Sequence, residues 1–357
     1  QEESDNFELG YKNTFFGGDA LLTSALFYTD ATNVQVTQAI GAATGNAVTS
    51  VAINQAAAEI MGVEGDLTYV PADIPGLTLA GALLQGLFRN PLADPALIGV
   101  SSGGAIGGIF AIVLLPLLLS GLSIGIPILS FALPVCAMGG AVGLTMLIYR
   151  VSLVRGRTHV PAMLLTGIAV NAIGGAFVGL MLTVFADDAQ LRTVTFWTLG
   201  SLAGSDWTST GVLALLILPG IAISLRQARS LNAFLLGEAE AYHLGTSVQR
   251  VKRIVIVVSA LMVGVTVAFC GIIGFVGLVV PHMIRTVFGP DHRLLLPAGA
   301  LLGAAVLLAA DLCARTVVAP AELQIGVLTA LLGGPFFLGL LLRARKGGTS
   351  FAGPSAG

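Results

Sequence analysis

Beyond about residue 74 the chain is a succession of long runs without Asp, Glu, Lys or Arg: 95–149, 158–186, 207–225, 254–284, 294–310 and 323–342. A helix needs about 20 apolar residues to cross the hydrocarbon core, so most of these runs hold one span and the first holds two. The 254–284 run holds one span and the start of another, broken near Gly271, Gly274 and Gly277. A further span fits at 74–88. The pattern predicts an all-α, polytopic membrane protein with about eight spans between residue 74 and the C-terminus.

Basic residues mark the cytoplasmic ends of spans. Here they cluster at Arg150, Arg155 and Arg157; at Arg226 and Arg229; at Arg250, Lys252 and Arg253; at Arg285 and Arg293; and at Arg343, Arg345 and Lys346. With Arg89 these make 14 of the 17 Lys and Arg, and alternating spans put all of them on one side. Arg192 and Arg315 fall on the far side, where Asp187 and Asp188 make the local charge acidic. The C-terminus, with its tail 347–357, is expected in the cytoplasm.

Composition agrees. The 357 residues are 55% hydrophobic and 10% charged, against about a quarter charged in a soluble domain. So little charge cannot coat a globule, and a lipid bilayer must cover much of the surface. The 46 glycines suit close helix packing. A net charge of −2 gives no field for nucleic acid. Cys136, Cys270 and Cys313 lie in apolar runs without metal-ligand spacing and read as packing residues; no metal site is expected.

Residues 1–76 do not fit this pattern. They are rich in Asn, Thr, Gln and Ala, with acidic Glu2, Glu3, Asp5, Glu8, Asp19 and Asp30. Ala31–Ala58 lacks charge, yet Asn33, Gln35, Gln38, Asn46, Asn54 and Gln55 make it a poor span. Three explanations stay open: a soluble extension, an amphipathic helix on the membrane surface, or a stretch that is not the natural sequence of this region. No signal peptide is evident and the first residue is not Met, so the natural start is expected to be missing.

The longest polar interruption after the first span is 226–253. At its centre Gly237, Glu238, Ala239, Glu240, Ala241, Tyr242, His243 and Leu244 make two short helical turns, with Gly245 as the stop. A short amphipathic helix between spans suits docking in a groove of a soluble partner; a solvated loop is the plainer alternative. The Ser101–Ala105 and Gly107–Gly108 pieces contain no GxxxxGK[ST] and read as helix-packing glycines, so the chain has no nucleotide site of its own. Asp311 and Arg315, four apart on one helix face, read as a structural pair, with Glu322 in the same turn. His282 beside Pro281 reads as a cap or packing residue. No catalytic constellation is present, so the chain is not expected to be an enzyme.

From Leu77 onward, over about four-fifths of the chain, seven ordered pieces resemble the FecCD-type permeases. These are Gln85–Pro95, Gly99–Ala105, Trp197–Leu202, Gly237–Gly245, Gly274–His282, Ala319–Leu323 and Gly333–Phe337. FecCD permeases are membrane subunits of ABC importers for iron-siderophores, haem and cobalamin. The resemblance implies a ten-span inner-membrane subunit over 77–346, working as a homodimer by alternating access with two copies of a cytoplasmic ATPase. ATP would bind that ATPase, docked on Gly237–Gly245. A periplasmic binding protein would deliver substrate, and no cofactor would be held tightly. The family's first span has no counterpart in 1–76, which implies a shifted reading frame or a substituted segment in its place. Ala186–Arg192, running into Trp197, looks most like the haem-importing branch; Asp187, Asp188, Arg192 and Trp197 are the expected periplasmic gate or binding-protein contact. A ferric siderophore or cobalamin is the alternative cargo, and an ion-coupled secondary transporter the alternative class.

Overall fold

The computed structural model describes residues 3–15, 20–41, 48–69, 73–119, 131–202, 207–318 and 323–346. The Ala319–Glu322 part of one motif, with Glu322 itself, and the tail 347–357 lie outside them. The chain forms two compact units, Gln1–Val70 and Pro71–Gly357.

The first unit is an antiparallel meander of β1 (Glu3–Phe15), β2 (Ala20–Gly41) and β3 (Val48–Tyr69). Glu3 stands opposite Thr32 and Phe15 opposite Ala20; Ala20 in turn faces Tyr69, and Gly41 faces Val48. The surface-helix explanation is thereby corrected. Phe7, Leu9 and Tyr11 alternate with Glu8, Gly10 and Lys12, and that period of two favours a strand.

The second unit is the all-α membrane fold. Its helices are α1 (Asp73–Phe88), α2 (Val100–Leu119), α3 (Ala132–Val151), α4 (Val160–Phe185), α5 (Asp188–Leu199), α6 (Trp207–Arg226), α7 (Ala228–Leu236), α8 (Glu238–His243), α9 (Val248–Cys270), α10 (Val276–Phe288), α11 (His292–Thr316) and α12 (Ile325–Lys346). Six of them are long and apolar enough to cross a membrane. Apolar stretches Pro75–Phe88, Val276–Phe288 and Ile325–Phe336 are shorter. The 254–284 run divides as its glycines predicted: α9 ends at Cys270, Gly271 takes φ 74°, and α10 begins at Val276. A two-strand hairpin, β4 (Leu153–Val154) with β5 (Arg157–Thr158), joins α3 to α4.

Helix α1 is buried along nearly all its length and packs on α6, α9, α10 and α11. It reaches α10 because Gly81 has no side chain; a Cβ there would overlap the Gly277 carbonyl. The same device brings α2 onto α3, where Gly103 meets Gly140 and Gly107 meets the Cys136 carbonyl.

The contacts repeat along the chain. As α1 packs on α10 and α11, so α9 packs on α2 and α3; α2, α3 and α4 contact one another in the same pairs as α10, α11 and α12. The first four helices and the last four are therefore one arrangement used twice. Helix α6, lying before α9 and packed on α9 and α1, has no equivalent ahead of α1 among the described helices.

Gly81→Ala should cost at least the upper end of the about 1–3 kcal/mol typical of overpacking, because backbone rather than a flexible side chain blocks the new methyl. Gly139→Ala, with nothing within 4 Å of its Cβ, should be neutral or slightly stabilising. Thermal unfolding midpoints in detergent would separate the two.

Candidate functional site

Helices α7 and α8 meet at Gly237, whose φ of 129° suits only glycine. Ala241 is fully buried and anchors α8, leaving Glu240 exposed and Tyr242 and Leu244 at 69% and 64% exposure. Gly245, at φ 84°, ends the turn by donating to the Tyr242 carbonyl, and the Thr246 N–H returns to Ala241. Large apolar side chains thus stand beside exposed charge on and just after a six-residue helix.

A buried lysine holds this helix. Lys252, on the first turns of α9, is 2% exposed. Its Nζ lies 2.7 Å from the Glu238 carboxylate and donates to the Thr158 carbonyl at 3.1 Å. The Thr158 N–H donates to Gln249 Oε1 at 3.0 Å. One ammonium thus ties α8 to α9 and to the strand that leads into α4. In the sequence Lys252 is one of a basic cluster, and nothing in that run of charges separates it from Arg250 or Arg253.

The neighbouring ties converge on the same end of the bundle. Gln85 of α1 donates to the Gly277 carbonyl at 3.2 Å and accepts from Arg285. Arg89 lies beside Gly237. From α7, Asn232 accepts from the His292 N–H at 2.8 Å and donates to Asp291 at 2.6 Å. The N–H of Arg293 and the Asn232 amide hold the Asp291 carboxyl below its ordinary range. That tie is therefore complete above the ordinary Asp range and is lost only as pH falls through the lowered pKa. Asp94 caps the short turn Pro95–Ile98 through the Ala96 N–H; burial pushes its carboxyl up against that hydrogen bond. Residues 89, 158, 238, 252, 285 and 291 thus gather at one end, as the alternating spans require.

At the opposite end, Asp187 caps α5 in a reciprocal box: Asp187 accepts from the Gln190 N–H at 2.7 Å and Gln190 Oε1 from the Asp187 N–H at 3.2 Å. Gln190 also donates to the Ile112 carbonyl at 3.3 Å. Ile112 sits in a π-helical turn, Phe110–Leu114, within α2; such turns shift the hydrogen-bond ladder and recur at functional sites. Gln190, which the sequence reading passed over, thus joins α5 to α2. Asp188 and Arg192 are exposed and belong to neither of the two ion pairs among the described residues. Trp197 is half-buried with its ring over Gly108, while Gly271 lies against its carbonyl. Arg315 Nε donates to Asp311 Oδ2 at 2.9 Å. Phe275, at φ 67°, packs against Gly333 beside an apolar cavity of about 530 Å³ between α10, α11 and α12. No group of metal-ligating side chains forms among the described residues.

Matched pieces of sequence thus meet in space, Gln85 with Gly277 and Phe275 with Gly333. Residues 75–343 match the FecCD transport family. The chain belongs to that family. Among FecCD-related proteins, the hemin transport system permease protein of Yersinia pestis is 46% identical over 76% of this chain and 78% of its own length. The cobalamin import system permease protein of Halobacterium salinarum is 41% identical over 76% of this chain and 69% of its own. The vitamin B12 import system permease protein of Escherichia coli is 39% identical over 76% and 79%. A solved metal-chelate type ABC transporter in an inward-facing conformation superposes with a TM-score of 0.65 at 34% identity, covering 76% of this chain and 83% of that one. Residues 1–98 match a different family, described as TonB dependent receptor-like, beta-barrel.

The Lys252–Glu238 pair is asymmetric: the lysine side chain is 3% exposed and the glutamate 45%. Glu238→Gln leaves a buried ammonium with only neutral acceptors, whereas Lys252→Met leaves a carboxylate that water can reach. Glu238→Gln should therefore destabilise this FecCD chain more than Lys252→Met, by about 1–3 kcal/mol. Denaturant titration of both variants measures the difference.

Proposed function

We propose that this FecCD-family chain, an ABC importer permease, moves haem inward across the bacterial inner membrane by alternating access. Two copies assemble around the path, and each receives one copy of a separate cytoplasmic ATPase on Gly237–Gly245. The supporting observation is the α8 tip: Glu240, Tyr242 and Leu244 are exposed, and Lys252 ties α8 to α9 and to Thr158 at the entry to α4. ATP acts on the path only if its binding favours one conformation of this linked set over the other. With the tip in the cytoplasm, the C-terminus is cytoplasmic and α5 lies outside, where Asp188, Arg192 and Trp197 meet the binding protein or gate its cargo. Asp187 shapes that surface by capping α5, and Asp311–Arg315 braces the outer end of α11. Haem is favoured over cobalamin by the higher identity to the hemin permease and by the Ala186–Arg192 segment.

The test is ATP-dependent uptake in proteoliposomes carrying the chain with its ATPase and binding protein, offered haem, a ferric siderophore and cobalamin in parallel. Haem should accumulate, and Glu240→Arg should lower uptake about tenfold or more, since a misplaced charge at an interface costs several kcal/mol. Preference for another ligand replaces the cargo and keeps the importer. Uptake that persists without ATP overturns the coupling.

A further inference from the structure

A cavity of about 790 Å³ opens between the β4–β5 hairpin, α8 and the start of α9. Its walls include Arg157, Thr158, His159, Arg250 and the Lys252–Glu238 pair. Because Glu238 neutralises Lys252, Arg157 and Arg250 supply the net charge. Both are exposed, and neither joins the two ion pairs among the described residues. Two helices of 26 and 23 residues, α4 and α9, begin at this cavity. Ser247, the N-cap of α9, makes no side-chain capping bond, so the positive end of that helix is left to another acceptor. Thr158 is 4% exposed, yet its Oγ1 has no hydrogen-bond partner. A buried hydroxyl without a partner on a basic, concave wall marks a place where an anion's oxygen belongs.

The surroundings choose among anions. Leu147 and Val151, one turn apart on α3, and Val154 in the hairpin are 51%, 62% and 51% exposed. This apolar strip runs along the end of α3 into the hairpin whose next strand carries Arg157. A phosphate with acyl chains attached satisfies both the basic cavity and the strip, whereas a free anion or an acidic side chain uses only the first. We propose that the cavity binds the phosphate of an anionic phospholipid, with Arg157 and Arg250 on the phosphate, Thr158 and the α9 N-terminus completing its shell, and the acyl chains along α3. Basic pockets between the ends of membrane helices hold anionic headgroups in this manner. A lipid seated there touches Glu238, Ala239 and Tyr242 and so braces α8. The inference requires that the chain span a bilayer, not that it work as an importer or carry a given cargo.

The detergent-solubilised full chain is titrated with phosphatidylglycerol and followed by native mass spectrometry, with phosphatidylcholine and inorganic phosphate in separate arms. Phosphatidylglycerol should bind more tightly than phosphatidylcholine. Arg157→Gln with Arg250→Gln should weaken it about tenfold, and Thr158→Val a few-fold. Arg226→Gln with Arg229→Gln, which removes equal charge from the same end outside the cavity, should change it less than twofold. Equal losses in the two double variants would reduce the effect to diffuse surface charge and overturn the site. Displacement of the lipid by equimolar inorganic phosphate would make it a free-phosphate site. Displacement by the ATPase subunit, with Arg157→Gln/Arg250→Gln weakening capture of that subunit, would assign the cavity to a protein carboxylate. Either result overturns the lipid.

Discussion

In a bilayer, apolar side chains gain little by leaving lipid for one another, so helices hold together through close contact and through hydrogen bonds that lipid cannot offer. The approach of α1 to α10 at Gly81 and Gly277 is where this contact matters most. It sets α1 in the middle of the bundle, within reach of α6, α9 and α11. It also brings Gln85 under the Gly277 carbonyl, and the Arg285 guanidinium onto Gln85. A larger residue at Gly81 would meet the Gly277 backbone, separate the helices and draw those polar groups away from their partners.

From that centre the ties run outward to α8. Arg89 follows α1 directly and lies beside Gly237, Asn232 links α7 to the start of α11, and Lys252 links α8 to α9 and Thr158. The opposite end is built differently, with Trp197, Gly200 and Gly271 in backbone contact and Ser201 donating to the Cys270 carbonyl. One end is tied by charge and the other by close packing.

The strand unit obeys another rule. Its long antiparallel strands complete backbone pairing only with neighbours, and β1 and β3 each have one within the sheet. The permease helices, by contrast, satisfy their backbones within each helix. Composition marks the break between the two regions after residue 76; the contacts divide after Val70 and α1 starts at Asp73.

The sequence alone determined the membrane class, the helical fold, the sites of the span breaks and the short helix Glu238–His243, because charge-free length and helix-ending glycines act locally. It also carried the family, through seven motifs in order. It did not determine that 3–15, 20–41 and 48–69 pair as strands, because a polar composition masks a period of two. Nor did it separate Lys252 from its basic neighbours, find Gln85 or Gln190 as ties, or show that Arg157 and Arg250 share a cavity. Those facts depend on which residues, often a hundred or more apart in sequence, are brought together. Only helix packing, fixed by glycines such as Gly81, decides that.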